Sequence, residues 1–171
     1  MSILAEDHLS SDHDRRPGLS ASDVMELMPQ KYPFRYVDAI REIDESHVVA
    51  QYTFKDDEWF YKGHFPDGAV TPGVILLEAM AQVGLVLQGL YLLGLHLTFE
   101  QIKRYRAVFT EAQAEWLEPV RPGETVVITS QLKAWRHQRI RAVVRMVDSQ
   151  ERIVAVAQIA GKGIEWPNAS S

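Results

Sequence analysis

The 171-residue sequence contains no cysteine, which excludes both a disulfide framework and a thiolate metal site. It has no excess of positive charge either. Eighteen Lys and Arg stand against 23 Asp and Glu, for a net charge of −5, whereas nucleic-acid binders carry a basic face. The first 19 residues hold no apolar run that could serve as a signal peptide. They are polar, acidic and aperiodic, and read as a disordered tail. His8 and His13 lie among acidic residues there, where a mobile tail is the simpler reading than a metal site. No internal repeat or interdomain linker interrupts the rest. The expected organisation is therefore a tail over 1–19, one domain over 20–165 and a flexible end over 166–171, a length that buries a real core. No metal and no cofactor is expected, and the reducing cytoplasm suits the composition.

What is present begins with one long apolar stretch, Val74 to Leu97, nearly long enough to cross a bilayer. It also carries Glu78, Gln82, Gln88 and His96. A carboxylate at membrane depth costs about 2.5–3.5 kcal/mol even on lenient scales, and a helix apolar on all sides can be the axis of a soluble fold. A buried core helix is expected, with no membrane span. Thr71 is a good N-cap and Pro72 suits the first helical position, and the helix is expected to end near Gly94.

Around it the pattern is mostly strand. A short helix is expected over Ser22–Met28, capped by Ser20 or Ser22, then strands at Tyr36–Ile43 and His47–Phe54, and a loop over Asp56–Thr71. Beyond the long helix, strands are expected at Tyr105–Trp116, Thr125–Trp135, Arg139–Val147 and Arg152–Gly161. In Arg139–Val147, Ile140, Ala142, Val144 and Met146 share one face, and Arg139, Arg141 and Arg145 the other. One long apolar helix and about six mostly antiparallel strands make an α+β class, and a curved sheet rolled around the helix buries both.

The chemistry concentrates between Tyr61 and Gln82. His64, on a loop between glycine and Phe65-Pro66, is the natural proton acceptor near neutral pH. Glu78 lies about two turns into the apolar helix, where burial favours the neutral acid. Gln82 is one turn further on the same face, within reach of that carboxyl group. At the helix start Pro72 has no N–H, so the Gly73 and Val74 amides are the free donors, at the positive end of the helix dipole. A thioester oxygen placed there would be stabilised as its α-carbon loses a proton. Base, acid and oxyanion donor together describe elimination of water from a β-hydroxy thioester. The bland readings are a surface histidine, a glutamate satisfied by Gln82 or an arginine, and a Thr-Pro-Gly that only caps.

Gly63-His64-Phe65-Pro66, Pro72-Gly73-Val74 and Glu78-Ala79-Met80-Ala81-Gln82 at this spacing resemble the 3-hydroxyacyl-ACP dehydratases of type II fatty acid synthesis. The likeness extends to Leu27-Met28-Pro29, Tyr32-Pro33-Phe34, Val37-Asp38, Pro119-Val120 and Pro122-Gly123-Glu124, covering about Ser22 to Gly163. It implies a hot-dog fold, with His64 and Glu78 as the catalytic pair and Phe65, Pro72 and Gln82 in support. It also implies a homodimer that shares its active sites between subunits, trimers of dimers in some members, and an acyl carrier protein as partner. Glutamate rather than aspartate favours the plain dehydratase branch. The sequence departs from the family pattern at Asp67-Gly68-Ala69 and at Arg35 and Tyr36, near the expected site mouth, which bears on substrate rather than on reaction type. The alternatives are a hot-dog thioesterase or a non-catalytic acyl-binding subunit. For carrier docking the candidate basic patches are Lys103, Arg104 and Arg106, or Arg136, Arg139 and Arg141.

Overall fold

Strand alternation sets the architecture. In β2 (His47–Thr53) Val48, Ala50 and Tyr52 are buried while their neighbours are half-exposed, and in β5 (Arg139–Val147) every even-numbered residue is buried and the odd ones face out. Such strands bury one face and leave the other wet. A computed structural model describes residues 18–167; the expected tail over 1–19 lies outside these except at 18 and 19, and the expected end over 166–171 except at 166 and 167. With β1 (Ala39–Ile43), β3 (Tyr105–Trp116), β4 (Thr125–Arg136) and β6 (Ile153–Glu165) they form one six-stranded sheet in the order β1-β2-β4-β5-β6-β3. Every neighbouring pair is antiparallel. The sheet packs its apolar face against a single 22-residue helix, Gly73–Gly94. This helix is long and apolar enough to cross a membrane, yet 72% of its most apolar window is buried inside the fold. It is a core helix, as expected.

Several boundaries differ from the sequence reading. Helix α1 (Ala21–Leu27) is capped by Ser20, which accepts from the Asp23 amide while Asp23 answers with a bond to the Ser20 amide. The first strand begins at Ala39 rather than Tyr36, because Tyr36 is drawn into the aromatic core against Phe34, Tyr52, Phe54 and Phe60. Thr71 does not cap the central helix. Its hydroxyl hydrogen-bonds that of Tyr61 at 2.6 Å and its amide donates to Val120, so Pro72 becomes the N-cap and Gly73 the first helical residue. A short helix at Phe99–Ile102, capped by Thr98 and Gln101, precedes β3, and β6 runs to Glu165 rather than Gly161. At the two margins of the domain, Leu19 packs against Gly94 and the Trp166 amide donates to Arg104.

Two irregularities were not part of the sequence expectation. Residues Gln82–Leu87 of the central helix are wound as a π-segment, a feature that often accompanies function. In β4 a bulge at Lys133 shifts the register between Leu132 and Ala134. After it Arg136 faces outward and Trp135 inward. The hairpin to β5 then closes through His137 and Gln138, both at positive φ, as a two-residue turn matching strand twist requires.

Helix and sheet approach closely at Gly84, where a Cβ would stand 2.8 Å from Val144 Cγ2 and 3.0 Å from Ser130 Oγ. At Gly89, one turn on, nothing lies within 4 Å. Gly89→Ala is expected to raise the unfolding free energy by about 0.5–1 kcal/mol by restricting the unfolded chain. Gly84→Ala is expected to fall below it by about 1–3 kcal/mol, the cost of overpacking. Equal shifts of the two variants in urea unfolding would contradict this packing.

Candidate active site

His64 follows a 3₁₀ turn, Trp59–Lys62, whose Phe60 carbonyl accepts from the His64 amide. Its ring is held by Val70: Nδ1 lies 2.9 Å from the Val70 carbonyl oxygen, and the Val70 amide donates back to the His64 carbonyl. A carbonyl only accepts, so Nδ1 carries the proton and Nε2 is left as the free base. The Phe65 ring stacks on the imidazole at 4.1 Å between centroids. His64 is half-buried, so one side of the ring remains open to a reactant.

The helix start is two residues beyond Val70. The Pro72 carbonyl accepts from Ile75 and Leu76, which leaves the Gly73 and Val74 amides without a backbone acceptor among the described residues, as expected for N-terminal helix positions. Val74 is 71% exposed. A cleft of about 290 Å³ lined by Thr71, Gly73, Leu76, Trp116 and Pro119 opens beside them.

Glu78 is half-buried on the apolar helix. Burial pushes its carboxyl group up from the usual carboxylate range, and a hydrogen bond from Gln82 opposes part of that rise. Gln82 is wholly buried and fully used. Its Nε2 donates to Glu78 Oε1 at 2.9 Å and to the Phe34 carbonyl at 2.8 Å, and its Oε1 accepts from the Tyr36 amide at 2.7 Å. The amide therefore pins the segment before β1 to the helix and fixes one carboxyl oxygen of Glu78. Tyr36 itself is buried, and that burial raises its phenol.

The expected residues thus fall into two groups within one chain: His64 with the helix start, and Glu78 with Gln82. Among the described residues no hydrogen bond joins His64 to Glu78, and the cleft reaches the helix start rather than the carboxyl group. The sequence reading missed Val70, the Phe34 and Tyr36 main-chain groups and Trp116, whose indole N–H donates to the Gly73 carbonyl at 2.9 Å. Backbone acceptors leave no mark in a sequence, and Trp116 lies too far along the chain for any spacing rule.

A model of the FabA-like domain matches residues 28–158. The chain belongs to the FabA-like family. Its match contains every residue of both groups. The chain is 34% identical over 118 residues to the 3-hydroxyacyl-[acyl-carrier-protein] dehydratase FabZ of Chlamydia muridarum, covering 68% of this chain and 74% of that one. It is 44% identical over 68 residues to FabZ of Clostridium perfringens, covering 40% and 49%. To the bifunctional enzyme LpxC/FabZ of Bacteroides thetaiotaomicron it is 32% identical over 148 residues, which is 86% of this chain but only 31% of that protein. Among solved structures, thioesterase HI1161 from Haemophilus influenzae superposes with a TM-score of 0.61 at 15% identity, covering 90% and 96% of the two chains. A hypothetical thioesterase with coenzyme A from Streptococcus pneumoniae gives 0.58 at 14% identity, covering 87% and 100%. These two similarities establish the hot-dog fold of the FabA-like chain and carry nothing about its reaction.

Gln82 offers a direct check on this geometry. Gln82→Met would strand the buried Tyr36 N–H, at about 1–3 kcal/mol, would release the part-buried Phe34 C=O at less, and would remove the bond that restrains the rise of Glu78. The expected outcome is a loss of about 1–3 kcal/mol on urea unfolding and a Glu78 carboxyl pushed further up. A carboxyl group raised on folding lends stability below its unfolded value and loses it as pH rises through the folded one. That loss should therefore shift to higher pH in the variant. An unchanged unfolding midpoint would contradict the three-way bridge.

Proposed function

We propose that the FabA-like chain dehydrates a 3-hydroxyacyl thioester to the trans-2-enoyl thioester. The observation that carries this reading is the oriented imidazole: Val70 holds Nδ1, so Nε2 is the free base. His64 Nε2 removes the α-proton, and the negative charge passes to the thioester oxygen, held by the Gly73 and Val74 amides. Glu78, whose burial favours the protonated form, gives its proton to the departing 3-hydroxyl, which leaves as water. Proton exchange with solvent returns the proton from His64 to Glu78. No metal or cofactor enters the balance. The similarity of the chain to the FabZ dehydratases over two thirds of its length supports the same reading.

The pairing of His64 with Glu78 is proposed to occur between two copies of the chain. Supporting this, β3 is a 12-residue strand at the sheet edge, with Val108, Phe109 and Trp116 exposed along it, and long apolar edges are normally covered. The substrate is proposed to arrive on a phosphopantetheine arm of an acidic carrier protein in the cytoplasm. Of the two basic patches, the first is internally engaged: Lys103 pairs with Glu100, Arg104 with Glu165, and Arg106 donates to two carbonyls. In the second, Arg141 pairs with Glu111. Arg136, Arg139 and Lys162 instead lie directly opposite one another on three adjacent strands. No ion pair engages them among the described residues. Like charges so placed repel, and an acidic partner would relieve them.

Two experiments test these points. His64→Ala and Glu78→Gln should each lower turnover of a 3-hydroxyacyl thioester by roughly 10² or more while the fold is kept. Enoyl absorbance without release of free thiol distinguishes dehydration from thioester hydrolysis, and a near-wild-type rate in either variant would refute its role. The double charge reversal R136E/R139E should weaken kcat/KM for carrier-linked substrate at least several-fold and leave a free pantetheine thioester unaffected. Equal rates on both substrates would remove this patch as the docking surface.

A further inference from the structure

Trp116 ends the edge strand β3, and its register decides which way the ring turns. It lies opposite Ala155, which is fully buried against the helix, so the indole lies on the inner surface at the mouth of the fold. There Nε1 donates to the Gly73 carbonyl at 2.9 Å. A Cβ on Gly73 would stand 3.0 Å from Nε1 and 3.1 Å from Cε2, so the ring occupies the volume that any larger residue would need. The ring is nevertheless 47% exposed and lines the cleft of about 290 Å³ beside the helix start.

The Gly73 carbonyl shares its peptide unit with the Val74 N–H. That unit is planar and trans, so its C=O and N–H point in opposite directions. A donor fixed on the oxygen therefore fixes the line of the N–H. It also polarises the unit, which makes the N–H a stronger donor. Pro72 caps the helix without a side-chain bond, and Thr71 is occupied with Tyr61. The indole is then the side-chain contact that anchors this peptide.

We infer that Trp116 is a positioning residue for the thioester-binding amides, tying the end of the edge strand to the direction and strength of the Val74 N–H. This rests on the dehydratase reading above. Trp116 touches no reacting atom; it acts through the Gly73–Val74 peptide. It also ties oxyanion binding to the strand proposed to meet a second copy of the chain.

The test is Trp116→Phe, alongside the benzothiophene isostere of tryptophan at position 116, which keeps the ring and deletes only the donor. Two readouts are taken on the full chain: kcat and KM for a 3-hydroxyacyl pantetheine thioester, and the absorbance maximum of bound 2,4-hexadienoyl pantetheine thioester. That chromophore moves to the red as donors polarise its carbonyl. Both variants should lose roughly 10-fold in kcat with KM little changed, less than the 10²–10³ seen when a direct oxyanion donor is deleted, and both should show a diminished red shift. A wild-type kcat with the full red shift in the isostere overturns the inference. So does a loss of thermal stability with both readouts intact. If Trp116→Phe fails to fold, the isostere decides. Wild-type protein without dehydration activity would overturn the dehydratase reading itself, whereas active wild type with unmoved variants overturns only the role of Trp116.

Discussion

The fold and its chemistry meet in one buried amide. Gln82 has no exposed surface, and both ends of its side chain are committed: to Phe34 and Tyr36 on the segment before β1, and to Glu78 on its own helix. Burying an amide is costly unless its bonds are made. Satisfying it here forces the Tyr32–Tyr36 segment onto the helix and gives Glu78 a fixed orientation. The rise in the Glu78 carboxyl follows from the same burial. Burial that favours the neutral acid, together with a fixed orientation, is what the proposed proton donor requires.

The second constraint is geometric. His64, Val70, Pro72 and the first helical amides lie on one short run of chain, and the reciprocal bonds between His64 and Val70 fold that run back on itself. The proposed base and oxyanion donors are therefore positioned by local structure, while the proposed acid is positioned by the helix and the core. The sheet contributes from outside, through Thr71 on Val120 and Trp116 on Gly73. In the proposed reaction a FabA-like chain built this way would carry two half-sites, and the edge strand β3 is the proposed place for a second copy to complete them.

Much of this was legible in the residues. The alternation of β5 and the capping residues of α1 carried their own evidence, as did the all-apolar helix carrying a lone carboxylate. Glu78 and Gln82 could be picked out as polar residues in an apolar helix, whereas His64 and the helix-start amides read equally as surface and capping groups until the resemblance of their motifs singled them out. The rest depended on tertiary contacts. Thr71 looked like a cap until Tyr61 claimed its hydroxyl. Tyr36 looked like strand until the aromatic cluster drew it inward. The π-segment at Gln82–Leu87 leaves no mark in an almost wholly apolar stretch, and the bulge at Lys133 moves the inward side from Leu132 to Trp135, a break of phase that reads only as blurred alternation. The Val70 carbonyl and the Trp116 indole act across turns or across 43 residues of chain, where no motif reports them.

The most direct measurement of the central claim mixes His64→Ala chains with Glu78→Gln chains, each inactive alone, and follows enoyl formation after subunit exchange. If the imidazole of one copy meets the carboxyl group of another, a mixed dimer holds one doubly damaged site and one intact site, and an equal mixture should regain roughly a quarter of wild-type activity by the symmetry of a two-fold dimer. No recovery from fully exchanged subunits would contradict a site shared between copies.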